Sequence, residues 1–348
     1  MMEDSRQEDD QRLTVIVPAY NEAPTLADTL RSLRAQTVAP AEIVVVDDCS
    51  TDGTGAVAES LGVRVLRTPR NTGSKAGAQN FALARVWTGF AMAVDADTTL
   101  APDAVERLLP AFEDPEVAAA CGFVLPRRVE TLWERGRYVE YMLAFSFFKR
   151  VQEHYGKPLI SSGCFSMYRM AELRRLGGWS TRTMAEDMDL TWTMYRDGQK
   201  VRFLPEAVCY PLEPHDIEFM ARQLRRWSHG FVQNVRLHWR SVLRLGYLRS
   251  IVAVACWEGL LASLAFLFVL PVLALLVDPL VLLVYVVDAP LLLVPLIAQA
   301  IERREISRAL LSFPSFFVLR VVNGWFMLGA VWRELVLRRP LLVYEKGH

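Results

Sequence analysis

The chain has 348 residues, 52% of them hydrophobic, and its 39 basic and 39 acidic side chains cancel to a formal charge of zero. That length holds one globular domain of ordinary size with room for a second part. A nucleic-acid-binding domain is not indicated, because the one strongly basic stretch (seven arginines and no Asp, Glu or Lys in residues 219–250) runs directly into an apolar segment. The five cysteines, Cys49, Cys121, Cys164, Cys209 and Cys256, are scattered without close pairs, which suggests neither a zinc site nor a disulfide framework and makes reduced thiols the default.

Residues 1–12 are acidic and polar, unlike a signal peptide or a membrane span, and are expected to be a disordered tail on a domain that begins in the cytosol. Leu13-Thr14-Val15-Ile16-Val17 reads as a strand stopped by Pro18. Pro24 then suits the first turn of a helix whose apolar face is Leu26, Leu30 and Leu33. Ile43-Val44-Val45-Val46 is a second strand, ending at Asp47-Asp48 and the turn residues Ser50-Thr51-Asp52-Gly53, and Val63-Arg64-Val65-Leu66 is a third. Next comes the small-residue loop Asn71-Thr72-Gly73-Ser74-Lys75-Ala76-Gly77-Ala78-Gln79-Asn80. Opening a helix, it lets backbone approach a phosphate or base, and Lys75 adds positive charge.

A fourth apolar run, Ala91-Met92-Ala93-Val94, ends abruptly in Asp95-Ala96-Asp97. Strands alternating with helices predict an α/β domain with a mostly parallel sheet covered on both faces. In such sheets ligands bind at the carboxyl ends of the strands. Two carboxylates placed there suit a hard divalent cation that also takes oxygens from a diphosphate; a solvated turn is the plain alternative.

Glu186-Asp187 opens a helical stretch with Leu190, Trp192 and Met194, and Asp189 reads as a capping or solvated group. Phe231, Val235, Trp239 and Leu243 recur every four residues beside an Arg236, Arg240 and Arg244 stripe, the pattern of an amphipathic helix at a bilayer surface. Residues 131–154 are also helical and aromatic-rich, fitting either a second interfacial helix or a core helix. Segments 251–277 and 279–300 are apolar enough for a membrane hairpin with its basic flanks on the cytosolic side. Segment 309–332 carries Arg320 and Asn323 near its middle and is either a third span or a broken helix near the interface. Glu258 and Asp288 either line a polar path or lie at an interface.

Taken in order, Val17-Pro18-Ala19-Tyr20-Asn21-Glu22, Val46-Asp47-Asp48-Cys49-Ser50-Thr51-Asp52-Gly53-Thr54, the Asn71-to-Asn80 loop and Asp95-Ala96-Asp97 resemble family 2 glycosyltransferases with a GT-A fold. The resemblance continues through Gly163-Cys164-Phe165, Gly177-Gly178-Trp179, Ala185-Glu186-Asp187 and Gln223-Leu224-Arg225-Arg226-Trp227. The last two resemble the membrane-embedded branch of cellulose, hyaluronan and poly-N-acetylglucosamine synthases, and ceramide glucosyltransferases carry similar elements. The implied fold is a Rossmann-like, mostly parallel GT-A domain at 13–230, an interfacial helix at 231–250 and a transmembrane helical region at 251–348.

The resemblance implies roles. Tyr20 would stack on the uracil of a UDP-sugar and Asp48 would accept a base N–H, with Pro18, Glu22, Lys75, Asp95 and Gln223 also in the donor site. Asp95 and Asp97 would hold Mg2+ or Mn2+, Asp97 the more directly. Asp187 would be the general base of an inverting displacement. Arg226 would clamp the diphosphate, and Trp227 would face the acceptor. The expected enzyme is an integral protein of the cell membrane with a cytosolic catalytic domain, acting on a polysaccharide or lipid-linked acceptor among membrane lipids, with self-association or an export partner if the product is a polymer. A non-processive lipid glycosyltransferase is the alternative. A receiver-like signalling domain would leave the Gln223-to-Trp227 element without a role, and an inactive membrane scaffold would leave the acidic residues without one.

Overall fold

The computed structural model describes residues 12–341, so nearly all of the expected acidic tail lies outside the described residues. Contacts divide the chain into two compact units, one of Met1–Arg127 with Gly156–Leu212 and the other of Arg128–Tyr155 with Glu213–His348. The strands are β1 (Leu13–Ala19), β2 (Glu42–Asp47), β3 (Arg64–Arg67), β4 (Phe90–Val94), β5 (Thr99–Leu100), β6 (Val117–Val124), β7 (Phe165–Arg169) and β8 (Lys200–Tyr210). The helices up to β6 are α1 (Ala23–Arg34), α2 (Thr54–Ser60), α3 (Lys75–Leu83) and α4 (Ala104–Leu108). Then come α5 (Leu132–Leu143), α6 (Lys149–His154), α7 (Met170–Arg175) and α8 (Glu186–Arg196). After β8 follow α9 (Ile217–Arg244), α10 (Gly246–Cys256), α11 (Leu270–Leu276), α12 (Ala289–Glu302) and α13 (Ile306–Val331).

The first unit is built on one sheet in the order β3-β2-β1-β4-β7-β6-β8-β5. Val15, Ile16 and Val17, Val44 to Val46 and Ala91 to Val94 are all fully buried, as continuous apolar strands covered on both faces must be. β1 pairs in parallel with β2 on one side and β4 on the other, so the order reverses there. The carboxyl ends of β1 and β4 therefore flank the crevice where open α/β sheets bind ligands. One departure from an all-parallel sheet matters for the site. β7 runs antiparallel to both β4 and β6, with Phe165 opposite Val94 and Ser166 opposite Ala93. That register sets the residues before β7, Gly163 and Cys164, beside the residues after β4.

The second unit is helical. α5 starts in a reciprocal cap, where Thr131 accepts the Glu134 N–H and Glu134 accepts that of Thr131. It then packs on α13, where a Cβ on Gly136 would lie 3.1 Å from both Leu319 Cβ and the Ser315 carbonyl, so only glycine allows this approach without a shift. Met220 and Leu224 of α9 meet Leu319 of α13 in a core that Trp133, Val322 and Phe326 extend. Of the two readings of residues 131–154, α5 takes the core role, whereas Phe147, Phe148 and Val151 after it are exposed. On α9, Val232, His238 and Val242 are buried while Trp239 and Leu243 face outward with Arg236, Arg240 and Arg244, a mixture suited to a headgroup layer.

Among the described residues, Gly246–Leu276, Pro279–Glu302 and Ile306–Val336 are long and apolar enough to cross a membrane. The third is one helix through Arg320 and Asn323, and each side chain donates to a carboxylate, although Asn323 Oδ1 is buried without a partner. Arg320 Nη1 donates to Asp288 Oδ1 at 3.0 Å, and Asn323 Nδ2 donates to Glu140 Oε1 at 2.8 Å.

Candidate active site

Two loops at the end of the sheet are stitched together before any ligand is considered. Asn21 takes a left-handed conformation (φ 54°), its N–H donates to Ser50 Oγ at 3.0 Å, and its Oδ1 accepts the Thr51 N–H at 2.8 Å. The Glu22 N–H donates to Thr54 Oγ1 at 2.7 Å, and the Ala23 N–H to Asp52 Oδ2 at 3.0 Å. Despite burial, which raises it, the Asp52 pKa is lowered on balance by hydrogen bonds from Thr54 and Ala23. The result is a fixed base for Tyr20, which follows β1 and is 40% exposed, as a stacking platform requires.

Asp48 is buried at the end of β2 and its carboxylate is nearly filled by protein donors. Thr68 Oγ1 reaches Oδ1 at 2.7 Å, the Thr72 N–H reaches Oδ1 at 2.9 Å, and Thr72 Oγ1 reaches Oδ2 at 2.8 Å. The Thr72 N–H also lies 3.1 Å from Oδ2, so each carboxylate oxygen accepts two contacts. Pro18 is half-buried in β1, bordering β2. Glu22 is buried and accepts Thr25 Oγ1 at 2.8 Å, so it shapes the loop that carries Tyr20.

The acidic strand end and the acidic helix start meet through Lys75. Ser74 caps α3 by accepting the Gly77 N–H at 3.1 Å, which places Lys75 in the first turn. Its ammonium pairs with Asp95 Oδ1, donates to the Gly163 carbonyl at 2.9 Å and lies 3.9 Å from Glu186 Oε1. Gly163 in turn donates its N–H to Asp187 Oδ2 at 2.7 Å, and the Met188 N–H donates to Asp187 Oδ1 at 2.8 Å. A Cβ on Gly163 would stand 2.7 Å from Asp187 Oδ2, so this glycine supplies space. Asp189, expected to cap or face water, is instead fully buried in a bidentate pair with Arg182, at 2.7 and 2.8 Å. Gly177-Gly178-Trp179 has a supporting role. Asn80 Nδ2 donates to the Trp179 carbonyl at 2.6 Å and Asn80 Oδ1 accepts the Trp179 N–H at 2.9 Å, an approach that a Cβ on Gly178 would block at 2.2 Å.

Among the described residues no cluster of three or more His, Cys, Asp or Glu side chains could hold a metal by itself. Asp95 and Asp97 are nonetheless both half-buried at the strand end, and Asp95 already carries a cation in the Lys75 ammonium. Two hard oxygen donors fit Mg2+ or Mn2+ when water and diphosphate oxygens complete the shell.

The Gln223-to-Trp227 element lies on α9, in the second unit. Gln223 Oε1 accepts from Arg137 Nη2 at 2.8 Å, and Gln223 Nε2 lies 3.4 Å from Glu213 Oε2. The Arg137 guanidinium sits 4.4 Å from the centre of the Trp227 ring, which remains 36% exposed. Arg226 is half-buried on the same turn. Burial raises the pKa of Glu213, and Arg137 and Tyr141 work against it.

Residues 14–177, which hold the Tyr20, Asp48, Lys75 and Asp95 loops, match the family model described as glycosyl transferase family 2. The chain is similar to this family over the matched segment, just under half of its length. Poly-beta-1,6-N-acetyl-D-glucosamine synthase of Staphylococcus aureus is 27% identical to it over 223 residues, covering 63% of this chain and 54% of the relative. The synthase of the same name from Staphylococcus epidermidis is 26% identical over the same length and shares. The chain thus spans about half the length of these curated relatives. A mannosyltransferase from Pyrobaculum calidifontis, solved in complex with GDP-Man and Mn2+, shares the fold with TM-score 0.63 at 21% identity, over 94% of this chain and 88% of that one. With its three apolar spans, this is an integral membrane protein whose residues 14–177 match glycosyl transferase family 2.

Two residues, one in each unit, had no distinct signal in the sequence. Gly163 stood only inside a motif, and its contact with Asp187 depends on the β4–β7 register. Arg137 is one of two arginines in Glu134-Arg135-Gly136-Arg137, and nothing in that run distinguishes the exposed one from the buried one.

Proposed function

We propose that the chain transfers a sugar from a UDP-sugar to a polysaccharide or lipid-linked acceptor, with inversion at the anomeric carbon, at the cytosolic face of the membrane. The observation that carries this reading is the joining of Asp95, Lys75, Gly163 and Asp187 at one sheet edge. The acceptor oxygen bonds to the anomeric carbon as the bond from that carbon to the diphosphate oxygen breaks, and the diphosphate leaves with the electron pair. Asp187 takes the hydroxyl proton. Each of its oxygens accepts one backbone N–H, which fixes the carboxylate and leaves each a lone pair. Lys75 lies where it can move from Asp95 towards the departing phosphate charge. Tyr20 would stack on the base, and Asp48 would accept a base N–H by giving up part of its contact with Thr72. Asp95 and Asp97 would hold Mg2+ or Mn2+, which supplies further neutralisation of the diphosphate. Arg226 would clamp the diphosphate and Trp227 would face the acceptor.

The named activity of the staphylococcal relatives makes UDP-N-acetylglucosamine the first donor to test. The fold shared with the mannosyltransferase solved with GDP-Man, over 94% of the chain, adds GDP-mannose to the donors to be tested. The experiment supplies the purified full chain in bilayers with radiolabelled UDP-N-acetylglucosamine, UDP-glucose or GDP-mannose plus Mg2+ or Mn2+, and weighs the product by mass spectrometry. Label from a UDP-sugar in a polymer or lipid is the expected result. No nucleoside diphosphate released from any donor would leave the inactive-scaffold reading standing.

A further inference from the structure

Arg137 is a buried cation with a specific set of partners. Its side chain is 1% exposed, and Nη1 pairs with Glu140 Oε2. Nη2 reaches Gln223 Oε1 at 2.8 Å and Met220 Sδ at 3.4 Å, and Nε lies 3.7 Å from Glu213 Oε2. The face of its guanidinium covers the Trp227 ring at 4.4 Å. Glu140 is shared. Its other oxygen accepts Asn323 Nδ2 of α13, at 2.8 Å. Glu213 is shared too, accepting Tyr141 OH at 2.8 Å. A buried charge is costly and must be matched by partners on several sides. Here those partners include both Gln223 and Trp227, one turn apart on α9, and they reach back to a polar side chain in the middle of a membrane-spanning helix.

We propose that Arg137 is a positioning residue for the acceptor-side element, fixing Gln223 by a hydrogen bond and Trp227 by its guanidinium face, and that Asn323 sets Arg137 through Glu140. This rests on the reading of Trp227 as an acceptor contact. The planar fork explains why arginine stands here. It can stack on an indole while its edge donates to Glu140 and Gln223 together, which a lysine ammonium cannot do. The line Asn323–Glu140–Arg137–Trp227 also gives the amide in the membrane helix a purpose beyond its own satisfaction, since polar groups at that depth are retained for function.

The test uses the full chain in lipid nanodiscs, labelled with 5-fluorotryptophan, with the Trp227 resonance assigned by its loss in Trp227→Phe. Arg137→Lys keeps the buried charge and so the balance against Glu140 and Glu213. Asn323→Leu removes only the far end of the line and suits a membrane helix. The Trp227 resonance is expected to move in Arg137→Lys and, by less, in Asn323→Leu. Sugar transfer into membrane material should fall tenfold or more in Arg137→Lys and a few-fold in Asn323→Leu, while slow release of UDP without transfer is kept. An unmoved resonance in folded Arg137→Lys overturns the proposal, and so does a moved resonance with wild-type transfer. Undiminished transfer in Trp227→Ala would instead overturn the acceptor reading, which separates the two failures.

Discussion

Gly163→Ala places the smallest possible side chain against the candidate base. The added Cβ would stand 2.7 Å from Asp187 Oδ2 and 3.2 Å from Lys75 Nζ. Ordinary contact begins near 3.4 Å, so the carboxylate must retreat by about 0.7 Å, or the loop must carry Gly163 away from it. Either movement stretches the 2.7 Å bond from the Gly163 N–H to Asp187 beyond hydrogen-bonding range. A misplacement of about 1 Å can cost on the order of 100-fold in rate, so kcat should fall roughly 10- to 100-fold. Stability should fall by only about 1.5 kcal/mol, the value of one bond to a charged group. UDP affinity should stay, because Tyr20 and Asp48 are not touched. The assay is transfer by the full chain in bilayers, paired with UDP calorimetry. Gly246→Ala, where a Cβ meets nothing within 4 Å, is the control. A folded Gly163→Ala protein transferring within twofold of wild type would refute the claim that Asp187 acts from this cradle.

Asp97→Asn and Asp187→Asn should each lower turnover by orders of magnitude, but calorimetry with UDP and Mn2+ should register weaker binding only for Asp97→Asn; full activity of Asp187→Asn would remove the base assignment. Arg226→Ala should raise the KM for the nucleotide sugar, whereas Trp227→Ala should mainly damage acceptor use, a division that equal effects on donor hydrolysis and transfer would contradict. Asp288→Leu alone strands Arg320 and should lower the thermal midpoint in detergent, while Asp288→Leu with Arg320→Leu should recover most of the loss; no recovery in the double variant would mean that the pair is not what the single variant breaks.

The parts of this fold that were legible in the sequence are those set by local patterning. β1, β2 and β4 are continuous apolar runs, and only a strand buried on both faces is written that way. Their polar stops fall at the carboxyl edge of the sheet, so Tyr20, Asp48 and Asp95 could be placed at that edge before any contact was known. β7 was not legible, because Phe165-Ser166-Met167-Tyr168-Arg169 has no apolar run, and its antiparallel direction is a property of the whole sheet. The pairing of Lys75 with Asp95 likewise depends on how α3 and β4 pack. Arg137 shows the limit most sharply. An arginine in an amphipathic helix reads as solvated, and only the partners Glu140, Glu213 and Gln223, brought from α5 itself, the segment before α9 and α9, make a buried one tolerable.

The same partners bear on what the third apolar helix is for. A membrane anchor needs only length and apolar surface, and any rotation about its axis would serve. α13 does not have that freedom. Arg320 pairs with Asp288 before α12, Asn323 donates to Glu140 on α5, Leu319 packs against Met220 and Leu224 of α9, and Gly324 admits Ser263 of the first span, whose Oγ would lie 2.8 Å from an added Cβ. Positions 319, 320, 323 and 324 contact four different segments, so a turn of the helix by one residue would break all four at once. Inside hydrocarbon, a broken polar contact finds no water to replace it. The rotation of α13 is therefore specified far more strictly than anchoring demands, and it is specified against α5 and α9, the helices that carry Arg137 and Trp227. Such a helix is part of the scaffold that shapes the Gln223-to-Trp227 element, and removing it would unmake the core of Met220, Leu224 and Leu319 along with the attachment to the membrane.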